Sequence, residues 1–186
     1  DDKIAITSYL VSLKNATLNG GDGNDVYYLD GNDLITEATN AGTDTVITDL
    51  NNYTLGSNLE NLLLTGTNGS LAFGNELNNN ITGTTGGNTI DGGLGNDTMA
   101  GGDGNDVYYV NASADSVTEQ INQGTDTVYT SLTDYTLGAN LENLVLTATT
   151  GSRTVTWAVT DANSDLVGAQ TSVAVTSTIT ITPTND

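Results

Sequence analysis

From residue 81 to residue 117 large apolar side chains return at one fixed interval. Ile81, Ile90, Met99, Tyr108 and Val117 stand nine positions apart, with mostly Gly, Asn, Asp and Thr between them. Counting back from Tyr27 by the same interval reaches Leu18 and Tyr9. A period of nine is neither the 3.6 of an amphipathic helix nor the strict alternation of a long strand. It predicts very short strands, each turning one side chain inward, joined by six-residue turns and wound into a solenoid with two nonads to a coil. Past residue 150 the pattern changes. "RTVTWAVT" places Val155, Trp157 and Val159 on one face, and "SVAVTSTITIT" does the same with Val173, Val175, Ile179 and Ile181. These predict two longer half-buried strands around the turn-rich "DANSDLVGA". The chain therefore reads as all-β: a solenoid of short strands over 1–150, then a short antiparallel two-stranded tail over 151–186.

A longer repeat overlies the short one. "GGDGNDVYY" stands at 20–28 and again at 101–109, "GTDTV" at 42–46 and 124–128, and "NLENL" at 58–62 and 140–144. The matching stretches are 20–70 and 101–152. Nonads also run back from Gly101, beginning at 92, 83, 74, 65 and 56. Their sixth letter is polar and often acidic: Asp106, Asp97, Asn88 and Asn79, with Asp115 one nonad further on. The register extends through most of 9–147, with small insertions expected near 119–123 and 133–137.

These nonads resemble the RTX family, the haemolysin-type calcium-binding nonapeptide, whose consensus is G-G-x-G-x-D-x-U-x with U large and apolar. The consensus is met in full at 20–28, 92–100 and 101–109. The resemblance implies a right-handed parallel β-roll, an RTX β-solenoid, with Ca2+ in its turns.

The letters suit that chemistry. Gly20, Gly21 and Gly23 can adopt positive φ and turn carbonyl oxygens toward one point. Gly92, Gly93, Gly95, Gly101, Gly102 and Gly104 hold the same places in the other two full nonads, and Asp22 and Asp103 sit within those turns. Asp25, Asp97 and Asp106 then add a carboxylate, and Ca2+ takes six to eight oxygens. With turns on one edge recurring every eighteen residues, Asp97 is expected to face Asp115, Asn88 to face Asp106, Asp106 to face Asp126, and Asp25 to face Asp44. Asp33 completes the candidate ligands. Asn61, Asn79 and Asn88 fall in the Asp slot without charge and are expected to make stacked hydrogen bonds or weak sites. Two carboxylates about 4.8 Å apart repel by about 1 kcal/mol in water and roughly 3 near a protein surface. The roll is therefore expected to need its ion to fold.

Composition narrows the function. The 186 residues carry 23 acids against three bases, a net charge of −20, which repels nucleic acid and anionic membranes. Cysteine and histidine are absent, so thiol nucleophiles, Ser-His-Asp triads and Cys/His zinc sites are excluded and hard oxygen ligands remain. The 22 glycines argue against long helices. No apolar run is long enough for a membrane helix, and "DDKIAITSYL" lacks the basic start and cleavage site of a signal peptide. No EF-hand or phosphate-binding loop is present. The acids recur too regularly for one glycosidase-like pair.

The chain is accordingly read as a non-enzymatic, calcium-folded, structural or adhesive module of a secreted bacterial surface protein. RTX resemblance also implies passage through a type I secretion channel before calcium is met. The tail resembles the last strands of Ig-like or cadherin-like adhesin repeats. Two alternatives stand beside this: the C-terminal RTX accessory region of a secreted hydrolase or toxin, and a self-assembling surface layer or filament. The hydrolase reading needs a catalytic domain, of which these residues show no trace. Assembly would use open strand ends, giving a homo-oligomer or polymer by end-to-end or strand-addition contacts.

Overall fold

The computed structural model describes residues 16–29, 31 and 33–147, together with the backbone of 153–159 and 175–181. Every regular element among them is a β-strand. Up to residue 146 these strands are two to four residues long, too short to be stable alone. They gain partners by coiling. One parallel sheet stacks Val26–Leu29, Thr45–Thr48, Asn61–Leu64, Asn80–Thr82, Thr98–Ala100 and Ser116–Val117 in that order. A second stacks Asn52–Thr54, Leu71–Phe73, Thr89–Asp91, Val107–Val110, Thr127–Thr130 and Asn143–Leu146. Thr17–Leu18 and Leu34–Ile35 make a further parallel pair. From Asn52 to Thr130 the chain visits the two large sheets in alternation, so two strands make one coil of a β-solenoid.

The coil length follows the sequence closely. Neighbours in the first sheet are offset by 19, 16, 19, 18 and 18 residues. In the second the offsets are 19, 18, 18, 20 and 16. Eighteen holds where the nonads are cleanest. The step of 20 takes up the extra residues expected near 119–123. The departure near 133–137 is a shortening, not the expected insertion. There the chain rounds the coil through Leu132, Tyr135 and Leu137, half-buried against the core, and returns to the second sheet without a paired strand between.

Register stacks the inward side chains directly over one another. Tyr27, Val46, Leu62, Ile81 and Met99 form the column of the first sheet, and Ala72, Ile90, Tyr108 and Val128 that of the second. Three-residue strands bury a single side chain, such as Ile81, Ile90 or Met99. The four-residue strands of the long copies bury two, such as Tyr27 with Leu29 and Tyr108 with Val110. Leu63, eighth in the nonad from 56, points outward while Leu62 and Leu64 are buried, because the step from Leu62 to Ile81 is 19 residues and shifts the frame by one. Tyr28 and Tyr109 face solvent.

The doubled "GGDGNDVYY" acquires a geometric meaning here. Its two copies lie nine nonads apart, an odd number of half-coils. The first copy therefore feeds Val26–Leu29 in the first sheet, and the second feeds Val107–Val110 in the opposite one. Beyond the roll, Arg153–Val159 pairs antiparallel with Val175–Ile181, as the alternating pattern predicts. Tyr9, the "DANSDLVGA" turn, Val173 and the side chains of the tail strands lie outside the described residues.

Truncating Ile90, fully buried mid-roll, to alanine is expected to lower the calcium-saturated chain's stability by about 2–5 kcal/mol in a denaturant titration. Leu94→Ala, at a turn position 70% exposed, is expected to change it by no more than about 0.5 kcal/mol. Equal losses at the two positions would contradict this placement of the core.

Candidate metal centre

The turn 101–106 shows why the glycines are required. Gly102 and Gly104 sit at φ 96° and 123°, the left-handed region that glycine enters without a steric penalty. Gly21, Gly23, Gly93 and Gly95 repeat those angles closely. Gly101 differs: it is not among the positive-φ residues, and a Cβ there would collide with Asp106 Oδ2 and the Tyr108 hydroxyl. Gly20 and Gly92 cover Asp25 and Asp97 in the same way. The expectation of positive φ at Gly20 is thus corrected. The first glycine of the turn leaves a hollow, and the carboxylate of the sixth residue fills it.

One coil along, the carboxylates meet backbone donors. On the edge leading into the first sheet, Asp25 N–H donates to Asp44 Oδ1 (2.8 Å) and Asp44 N–H to Glu60 Oε2 (2.8 Å). Further along, Asn79 N–H donates to Asp97 Oδ1 (2.8 Å) and Asp97 N–H to Asp115 Oδ1 (3.0 Å). On the other edge the donors are Ala16 to Asp33 Oδ1 (2.9 Å), Asn88 to Asp106 Oδ1 (2.6 Å), Asp106 to Asp126 Oδ1 (2.8 Å) and Asp126 to Glu142 Oε2 (2.7 Å). The four pairings read from the eighteen-residue spacing are all in contact. The Asn61 slot is filled otherwise. Where the step is only 16, the longer Glu60 reaches under Asp44, and Asn61 Nδ2 donates to the Asp44 carbonyl (3.1 Å). Glu142 does the same in the second copy.

Other candidates stand apart from the clusters. Asp22 and Asp103 are exposed, and Asp103 only accepts a 3.4 Å bond from Gln123 Nε2. Asp115 spends Oδ2 on the N–H groups of Asn111 (3.0 Å) and Ala112 (2.9 Å). Asn79 and Asn88 hydrogen-bond across coils: Asn79 Nδ2 donates to Leu59 O (3.0 Å), and Asn88 Nδ2 to Gly101 O (3.1 Å) and Asp106 Oδ1 (3.2 Å).

Two buried acids outside the consensus join these columns. Glu37 Oε1 accepts from the Tyr27 hydroxyl and from Gly20 N–H (3.3 Å), and Glu119 Oε1 accepts from the Tyr108 hydroxyl and from Gly101 N–H (3.4 Å). Asn58 and Asn140, at φ 64° and 61°, fix these loops by donating to the Glu37 and Glu119 carbonyls at 2.9 Å. Sequence reading missed both glutamates because they lie outside the nonad frame. The available signal was the dipeptide "TE", at 36–37 and again at 118–119.

The result is an unbalanced set of charges. Asp25 Oδ2, Glu37 Oε2, Asp44 Oδ2, Asp97 Oδ2, Asp106 Oδ2 and Glu119 Oε2 are buried with no hydrogen-bond partner. The chain's three bases, Lys3, Lys14 and Arg153, are all outside the described side chains. A buried oxygen without a partner costs about 1–3 kcal/mol, more when charged. Carboxylate oxygens left over in this way are the donor set that a hard divalent cation takes.

Burial, opposed by backbone hydrogen bonds and reinforced by neighbouring acids, pushes Asp97 and Asp106 up from 3.8 to about 6. It also raises Glu37, Asp44, Glu119 and Asp126. Burial first, then Glu119 beside it, raises Tyr108, so its hydroxyl keeps its proton. A raised acid favours folding most below its unfolded pKa, and that contribution is lost as pH rises through the folded value. In chelator the chain is therefore expected to gain β-structure between about pH 7 and pH 5, read by circular dichroism. A loss of β-structure over that range would show that these carboxylates are not buried together.

Comparison with known proteins agrees with the geometry. Residues 73–108 match the RTX calcium-binding nonapeptide repeat, in four copies. The chain is 46% identical over 76 residues to the endo-1,3-1,4-beta-glycanase ExsH of Rhizobium meliloti (strain 1021), covering 40% of this chain and 16% of that protein. It is 43% identical over 73 residues to the endo-1,3-1,4-beta-glycanase EglC of the same organism, covering 39% and 15%. The matches thus span about one sixth of each relative's length. No solved structure matches the chain. RTX nonapeptide repeats bind calcium, and the partnerless buried oxygens fit that ion. The chain carries RTX calcium-binding nonapeptide repeats, wound as a parallel β-solenoid.

Proposed function

We propose that this chain is a calcium-folded accessory region of a secreted glycan hydrolase, exported unfolded and set by calcium outside the cell. The observation that carries the calcium step is the set of six buried carboxylate oxygens with no partner among the described residues. Without an ion, a chain of net charge −20 must bring acids together inside a narrow coil, and each close pair opposes folding. With calcium the binding energy becomes folding energy. A polymer that condenses only where calcium is plentiful stays extended in the cell and compact outside it.

The two glycanase relatives favour the hydrolase reading over the adhesive one. The roll itself is given no catalytic role. It stabilises, spaces or tethers whatever is joined to it. A self-assembling role has one observation of its own: Asn143–Leu146 is the outermost strand of the second sheet, and its inward residues Leu144 and Leu146 are only half-buried. A strand so placed can receive another.

In chelator at neutral pH the 186-residue chain is expected to show a coil spectrum, and in millimolar calcium a β spectrum with a compact scattering profile. An unchanged spectrum ends the calcium-folding reading. The full-length product containing this segment is expected to cleave a β-1,3-1,4-glycan, while this chain alone does not. A full-length product that cleaves no glycan but coats cells shifts the function to adhesion. Ordered polymers that appear only with calcium shift it to assembly.

A further inference from the structure

We propose that Asp25, Glu37 and Asp44, and again Asp106, Glu119 and Asp126, each hold one Ca2+ in a three-carboxylate site absent from the nonapeptide consensus, and that these two ions bind before those of the plain turns. The inference rests on the calcium-folding reading and deepens it.

In each cluster one carboxylate oxygen from every member lies within 4.8 Å of the others. Opposite ligands of one Ca2+ stand about 4.6–5.2 Å apart, twice its bond length, whereas across Mg2+ they stand about 4.0–4.2 Å apart. Three oxygens so placed are close enough to share one calcium ion. A second observation is independent of this proximity. Asp25, Glu37 and Asp44 are 2%, 8% and 1% exposed, and the second oxygen of each is buried without a partner. In the other cluster Asp106 Oδ2 and Glu119 Oε2 are in the same condition. Five of the six converging carboxylates therefore carry a buried oxygen without a partner.

The plain turns are poorer in charge. Asp97 has one free oxygen, but the Asn79 in the preceding coil is neutral and Asp115 in the next has both oxygens on backbone N–H groups. Calcium affinity rises with the number of charged ligands. Glu37 and Glu119 supply the third charge, and Tyr27 and Tyr108 prepare them. Each hydroxyl occupies Oε1 of its glutamate and leaves Oε2 without a partner. A hydrogen bond of that kind orients a ligand and raises its metal affinity.

Calorimetric titration of the whole 186-residue chain with calcium chloride tests this. Two ions are expected in a tight class, with weaker ones following. Glu37→Gln should remove one tight ion and Glu119→Gln the other, each site weakening by more than about tenfold. Tyr27→Phe and Tyr108→Phe should weaken the same sites by about 10–100-fold while the weak class is unchanged. Glutamine also removes a like charge from the ion-free cluster, so both Gln variants should be at least as structured as wild type in chelator, by circular dichroism. Two tight ions persisting in the double Gln variant, or a loss spread evenly over all ions, overturns the proposal. So does a Gln variant that fails to fold at any calcium concentration, since Glu37 and Glu119 would then be packing residues. A wild-type chain that does not fold with calcium defeats the parent reading instead.

Discussion

A carboxylate removed from water keeps its charge only where another positive or hydrogen-donating partner replaces the water. Along both edges of this roll the backbone of the neighbouring coil supplies half of that replacement. One oxygen of Asp44, Asp97, Asp106 and Asp126 each accepts an N–H from one coil before. For Asp44, Asp97 and Asp106 the second oxygen has no donor. The half-satisfied carboxylate explains the other oddities of the chain. The leading glycine of each full turn is required because the carboxylate lies where its side chain would be. Strands can be as short as two or three residues because the turns are tied to one another.

The two edges are not uniform. In the middle of the roll Asn79 and Asn88 stand in the aspartate slot and reach across coils with their amide groups. Neutral donors and acceptors take over part of the contact between coils there. Toward each end the long copies replace asparagine by aspartate, add a glutamate from the lengthened loop, and widen the strands so that two side chains rather than one enter the core. Amide hydrogen bonds mark the centre, and clustered carboxylates mark the flanks.

Much of this was readable in the residues. The nine-residue spacing identified Ile81, Ile90, Met99 and Tyr108 as inward positions, and the eighteen-residue step identified which acids meet. Both follow from a periodic backbone, which converts distance along the chain into position in space. The failures fall where the period breaks. Glu60 rather than Asn61 meets Asp44 because a 16-residue coil brings a different position opposite and only a longer side chain reaches it. Glu37 and Glu119 lie in loops that no frame of nine can place. Asp115 looks like any other sixth-position acid until its local turn is seen to take the oxygen that Asp97 N–H leaves free. Periodicity locates a side chain, but not which of its atoms is already engaged.

Because one nonad is half a coil, adding or deleting a single nonad turns everything downstream to the other side of the solenoid. The two long copies, nine nonads apart, already show this inversion: near-identical surfaces look in opposite directions. A lineage that must keep a patch aligned with a neighbouring domain can therefore lengthen such a roll only by pairs of nonads. One that gains from displaying the same face on both sides can do so with an odd number. Growth of the repeat is a rotation as well as an extension, and the parity of the insertion decides which way the protein's surface points.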